Sequence, residues 1–297
     1  MKTGQADSQG RDTARRNPLM PHRPVAAIWL NLVCLDAPLV AIAWLALFAR
    51  TFHRPIQPGN AVALFLTAWL IYLADRLADS LSLKPGSPRS LRHAFCLRHR
   101  EIWTATVILV AGFDAYVVWR ATAPETFFSG AIIGLLAVIY LALNHPFGRI
   151  WRTLPAKELV IGGLFTAGTL VALLPPMVWI DRRFVTSAFA FAILCSLNCV
   201  SIAGWERNLD AIQGKVSIAT RFPVLTRGLT GLCLIVAAIF LATAIAIREV
   251  SLLFSCLAGS TLLLACLNAS GRIWIDERTA LADLVLLTPL VALFVLR

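Results

Sequence analysis

Between Pro223 and Ile247 the chain reads PVLTRGLTGLCLIVAAIFLATAIAI, and beyond Arg227 the run holds no charge. A helix of about 20 apolar residues crosses the ~30 Å hydrocarbon layer of a bilayer, so this run predicts a membrane span. Eight further runs of the same character flank it, at about 25–49, 60–82, 102–119, 127–144, 158–180, 184–204, 250–270 and 279–296. Breaker residues separate them, as in Arg54-Pro55-Ile56-Gln57-Pro58-Gly59 and Lys84-Pro85-Gly86-Ser87-Pro88. Pro175-Pro176 falls inside the fifth run and predicts a kink or an early end there. The expected fold is all-α: a multi-pass bundle of about nine transmembrane helices in a single membrane domain at 25–297. A polar, basic tail at 1–24 reads as disordered and cytoplasmic. The first apolar run is too long for the core of a cleavable signal peptide.

Of the 297 residues, 58% are hydrophobic and 14% charged, with a mean hydropathy of +0.75. Soluble domains run nearer ~45–50% and ~25%. Polar residues are too scarce to cover a water-exposed core, which excludes a soluble enzyme, a disordered chain and a collagen-like fibre. Cys34, Cys195, Cys199, Cys233, Cys256 and Cys266 lie in apolar runs and Cys96 in a polar loop, so no disulfide framework is expected.

The net charge of +11 raises the question of nucleic acid, but its distribution answers otherwise. With the N-terminus in the cytoplasm, inside segments hold 18 Lys and Arg and outside segments 7. That bias predicts an inside N-terminus and an outside C-terminus, with the basic residues facing an anionic leaflet and membrane lipids as partners. The expected location is a bacterial cytoplasmic (inner) membrane.

Acidic residues are few, and two pairs share a pattern. Asp75-x-x-x-Asp79 closes the second run, and Glu206-x-x-x-Asp210 closes the sixth. Spacing of i, i+4 places both carboxylates of each pair on one helix face. Both runs are even-numbered, so both pairs reach the same membrane–water boundary. Four carboxylates at one end of a bundle suit Mg²⁺, a hard cation that leaves positions open for phosphate oxygens. Arg76, Arg207, Lys215 and Lys157 interleave with them, so acids, metal and cations together describe a diphosphate site. A wet helix end is the commoner meaning of one such pair alone; two at matching ends favour function.

The run Tyr72-Leu73-Ala74-Asp75-Arg76-Leu77-Ala78-Asp79 resembles the first aspartate-rich motif, NDxxDxxxD, of the UbiA superfamily of membrane prenyltransferases. Glu206-Arg207-Asn208-Leu209-Asp210, followed by Gly214, Ser217 and Thr220, resembles its second motif, DxxxD, and the tail of that motif. Ile71 and Tyr72 stand where the first motif begins with Asn-Asp, and Glu206 replaces an aspartate. The resemblance implies Mg²⁺-dependent transfer of an isoprenyl group from its diphosphate to an aromatic or other lipophilic acceptor, within the membrane. It implies that Asp75, Asp79, Glu206 and Asp210 bind metal and diphosphate. Arg76, Lys157, Arg207 and Lys215 are candidate diphosphate contacts, Lys157 foremost. Tyr72 either stabilises an allyl cation through its ring face or packs between helices. The alternative function is a non-enzymatic membrane paralogue or transporter with a degenerate diphosphate site. Transporters place charged groups near the midplane between inverted repeats; here the acids gather at one interface.

Other polar residues have two readings each. Asp36 lies mid-run before Pro38 and either lines a cavity or bonds a neighbouring helix. Asp114 is expected to make a structural hydrogen bond. Asn198 and Ser201 precede Glu206 by about two turns and one, and face the cavity or join helices. The cluster Arg92-His93 to Arg98-His99-Arg100 lacks zinc spacing and is expected to bind lipid headgroups or cover the site. Trp29, Trp103, Trp119, Trp151 and Trp179 read as interface anchors.

Overall fold

The computed structural model describes residues 26–83, 86–144, 156–174 and 181–295. The tail at 1–24, Lys84-Pro85, Arg149, Trp151, Arg152, Pro175-Pro176, Trp179 and Arg297 lie outside the described residues. Within them all regular structure is helical, with no strand. Seven segments are long and apolar enough to cross a membrane, and the chain is an integral membrane protein.

The first apolar run is not one helix. It divides into α1 (Ala26–Leu32) and α2 (Asp36–Thr51). Cys34 adopts φ 57°, a left-handed conformation that ends the regular hydrogen-bond ladder. Pro38 then falls in the first turn of α2, where a missing N–H costs nothing. The chain continues with α3 (Pro58–Ser82), α4 (Leu91–Arg98), α5 (Arg100–Ala121), α6 (Pro124–Asn144) and α7 (Lys157–Leu170). In the described part of the fifth run, to Leu174, the α-helix ends at Leu170 and a tighter turn follows at Val171–Leu173. Next come α8 (Arg182–Gln213), the short α9 (Ile218–Arg221) and α10 (Pro223–Arg227), then α11 (Leu229–Ala246), α12 (Ser251–Ala269), α13 (Ile275–Leu284) and α14 (Thr288–Val295). A turn at Val285–Leu287 joins the last two into one spanning segment.

Aromatic stacking marks the core. The Trp44 and Phe191 rings lie 4.5 Å apart, joining α2 to α8, and Phe48 packs against Phe184. The Trp44 indole donates to the Leu286 carbonyl at 2.8 Å, so its one polar atom is satisfied in the apolar interior. Between α7 and α8 the backbones nearly touch: a Cβ on Gly162 would lie 2.7 Å from the Ser196 nitrogen. Small residues permit this approach where helices associate in lipid. Outward, α6 exposes Phe128, Ile132, Leu135 and Val138, each at least 60% accessible, and buries only Ala137. Such a surface requires a hydrocarbon solvent.

Candidate functional site at the C-terminal ends of α3 and α8

Asp75 and Asp79 lie near the end of α3, and Glu206 and Asp210 near the end of α8. All four line one cavity of about 540 Å³. A helix C-terminus carries the negative end of the backbone dipole and disfavours carboxylates by about 0.3–1 kcal/mol each. Lys157 is equally misplaced for its own helix, at the positive first turn of α7, and lines the same cavity. These charges do not serve the helices that carry them.

Local structure delivers further groups. Gly214 ends α8 at φ 69°, with the Lys215 N–H donating to the Asp210 carbonyl at 2.9 Å. A side chain would strain that left-handed residue. The turn sends Lys215 across to α3, where Nζ donates to Asp79 Oδ2 at 2.9 Å. Ser217 and Thr220 cap α9 reciprocally, and the Ile218 N–H donates to Glu158 Oε1 at 3.2 Å. The tail of the second motif thus folds the chain beneath the cavity.

Helix α4 covers the opposite side. Arg92 Nη2 donates to Glu206 Oε2 at 2.6 Å. His93 Nε2 stands 3.7 Å from Asp79 Oδ2, while its Nδ1 meets Ser90 Oγ at 2.6 Å. Burial pulls the His93 imidazole below the ordinary histidine value, with the Asp79 contact opposing and the cations Arg92, Arg76 and Lys215 reinforcing. That direction favours the neutral imidazole, and at 3.7 Å its Nε2 makes a long polar contact with Asp79 rather than a hydrogen bond. Burial likewise raises the Cys96 thiol, consistent with an inert core cysteine.

Of the ten residues singled out in the sequence, Tyr72, Asp75, Arg76, Asp79, Lys157, Asn198, Glu206, Asp210 and Lys215 line this cavity. Arg207 does not; successive helix residues diverge by about 100°, so the neighbour of an inward Glu206 turns aside. Arg92 and His93, from the cluster expected to bind lipid headgroups or cover the site, line it too, and the structure adds Glu158 and Asp283. Glu158 and Asp283 are acids within apolar runs, a signal sufficient to have found them. Asp36 also lines the cavity, whereas Asp114 accepts from Thr67 Oγ1 at 2.9 Å away from it. Ser201 accepts from Asn268, joining α8 to α12.

Several buried polar atoms at the cavity have no partner among the described residues, Glu206 Oε1, Arg76 Nη1 and Glu158 Oε2 among them. Each can accept a hydrogen bond from, or donate one to, a polar group entering the cavity. Past a collar of Ile71, Tyr72, Tyr140 and Ile161, shared by both spaces, lies a second cavity of about 250 Å³. Its wall is mostly hydrocarbon, from Leu64, Ile133, Leu164 and Phe165, and Gly130 and Gly134 leave room along α6.

Mg²⁺ can be tested against these donors. Among the described residues no three His, Cys, Asp or Glu side chains are placed to hold an ion unaided. Mg²⁺ commonly uses one or two carboxylates and completes its octahedron with water and phosphate oxygens, so no protein cage is required. Among the described residues, seven carboxyl groups line the cavity against four permanent cations, Arg76, Arg92, Lys157 and Lys215. A diphosphate entering alone would meet net repulsion, and a divalent cation removes it. The donor set fits.

Fold and site together define a class: a helical membrane protein with an amphiphilic cavity, charged at one end and apolar at the other. Compared with family models, with curated proteins and with solved structures, the chain matches none.

Proposed function

We propose that the protein is an intramembrane prenyltransferase of the UbiA type. It transfers an isoprenyl group from its diphosphate to an aromatic or other lipophilic acceptor. One observation carries this: the charged cavity between α3 and α8 and the apolar chamber lie side by side, sharing Ile71, Tyr72, Tyr140 and Ile161 as a common wall. An isoprenyl diphosphate has the same two halves.

In this proposal Asp75, Asp79, Glu206 and Asp210 hold Mg²⁺, which when bound neutralises charge on the departing diphosphate. Arg76, whose Nη1 has no hydrogen-bond partner among the described residues, Lys157 and Lys215 bind diphosphate oxygens. The isoprenyl tail occupies the apolar chamber, and the collar holds its first carbon away from water. Tyr72, packed edge-on against Phe165 with ring centroids 6.4 Å apart, presents a fixed aromatic ring there. Its face stabilises developing cationic charge by about 0.5–2 kcal/mol.

The broken α1–α2 pair and the run beginning with α7 add two passes to the seven long segments, for nine in all. By the Lys and Arg bias, the acids then face the cytoplasm of a bacterial inner membrane.

A second reading is a binding paralogue or transporter. It is favoured by Arg92 and Lys215, which already neutralise Glu206 and Asp79. Purified protein with Mg²⁺, labelled isoprenyl diphosphates and a panel of aromatic acceptors separates the two. Acceptor-dependent diphosphate release supports the enzyme; tight binding without turnover supports the paralogue.

A further inference from the structure

The end of the cavity formed by α1, α2 and α13 holds a second polar group that the diphosphate does not need. Asp36, 2% exposed, accepts from Asn31 Nδ2 at 2.7 Å and from the Ala37 N–H at 3.0 Å. Asp283 lines the same cavity from α13, which packs against α1 and α2. Asp283 Oδ1 also accepts from Asn198 Nδ2 at 2.8 Å. Asn198 is 4% exposed, lines the cavity, and its Oδ1 has no partner among the described residues. A buried amide oxygen left without a donor costs about 1–3 kcal/mol unless a ligand supplies one. Asn198 precedes Glu206 by eight residues, roughly 12 Å along α8. This group therefore lies deeper than the acids assigned to the metal.

We infer that Asp36, Asp283 and Asn198 form the subsite for the second substrate, and that this substrate is a neutral acceptor carrying at least one hydroxyl or amino hydrogen. The inference rests on the prenyl-transfer proposal and specifies its acceptor. Two carboxyl groups lining one end of a cavity disfavour a third negative charge there. With the orphan Asn198 oxygen, the subsite presents mainly hydrogen-bond acceptors. An O–H or N–H satisfies them, whereas a carboxylate would be repelled. The pair also takes up the proton that substitution releases. The C1–O bond to diphosphate breaks with its electrons on the leaving oxygen. The acceptor's nucleophilic atom bonds to C1, and its proton passes to a carboxylate oxygen of Asp36 or Asp283.

The experiment uses geranyl diphosphate and Mg²⁺ with hydroquinone or 4-hydroxybenzoate, the full chain being held in lipid nanodiscs. Turnover is expected with hydroquinone and at least tenfold less with 4-hydroxybenzoate. Asp36→Asn and Asp283→Asn should each lower kcat/KM for hydroquinone at least tenfold. Geranyl diphosphate binding, read by tryptophan fluorescence, should stay within twofold of wild type and also reports a folded variant. Preference for 4-hydroxybenzoate, or unchanged hydroquinone kinetics in both variants, overturns the inference and leaves prenyl transfer standing. If wild type neither binds nor cleaves geranyl diphosphate with either acceptor, prenyl transfer itself fails and this inference with it.

Discussion

Arg92 joins α4 to α8 by donating to Glu206 Oε2 at 2.6 Å, across 114 positions of sequence. Both side chains are largely buried, at 16% and 10% exposure, so neither charge is tolerable alone. Arg92→Met should destabilise the protein by about 3 kcal/mol, the usual scale for stranding a buried charge. Arg92→Met combined with Glu206→Met should recover most of that. Thermal unfolding in detergent of the two single variants and the double completes the cycle. Additive losses would show that the pair is not coupled.

The four motif acids should act as a set. Asp75→Asn, Asp79→Asn and Asp210→Asn should each reduce diphosphate release at least about a hundredfold, the scale for losing a charge-stabilising group in a preorganised site. Asp114→Asn, whose native carboxylate bonds Thr67 outside the cavity, should remain active. Near-wild-type turnover in any two of the first three would end the metal–diphosphate assignment.

Tyr72 sits in the collar with its ring against Phe165. If the ring face is what matters, Tyr72→Phe should keep most activity, and Tyr72→Leu should lose several-fold in rate at unchanged thermal stability. Equal rates in the two variants would leave packing as the role of Tyr72.

Gly162 permits contact between α7 and α8, since an added Cβ would collide with the Ser196 backbone. Backbone cannot yield as a flexible side chain does, so Gly162→Ala should cost about 1–3 kcal/mol. It should also shift Lys157 and Glu158, which α7 brings to the cavity. Gly163→Ala, where an added Cβ meets open space, is the matched control in a melting experiment.

Orientation is testable without activity. A reporter fused after Arg297 should read outside the cytoplasm, and one fused before the first apolar run should read inside. The reverse pattern would move both acid pairs to the outer face.

Much of the fold is legible in the sequence because some signals are local. An uncharged run such as that of α11 can be satisfied only as a helix in lipid. The i, i+4 acids keep their common face wherever the helix goes. The break at Cys34 is hidden, because cysteine carries no turn preference and a left-handed φ is set there by tertiary context. The same holds for Arg92: a basic loop residue looks solvated until the fold brings Glu206 beside it. Asp283 differs: an acid within the last apolar run is itself a signal, and what stays hidden is that Asp36, nearly the whole chain away, lines the same cavity.

The apolar chamber has a consequence for how affinity is distributed. A soluble protein that buries an isoprenoid tail removes it from water and gains about 25 cal/mol per Å². On the proposed function the tail would arrive already dissolved in hydrocarbon, so the relevant reference state is the bilayer, and that transfer is close to neutral. The chamber can select by length and shape, yet it adds little to the strength of binding. Affinity must come from the charged half, and tails of different length that fit should bind about equally when concentrations are counted per lipid rather than per volume of buffer.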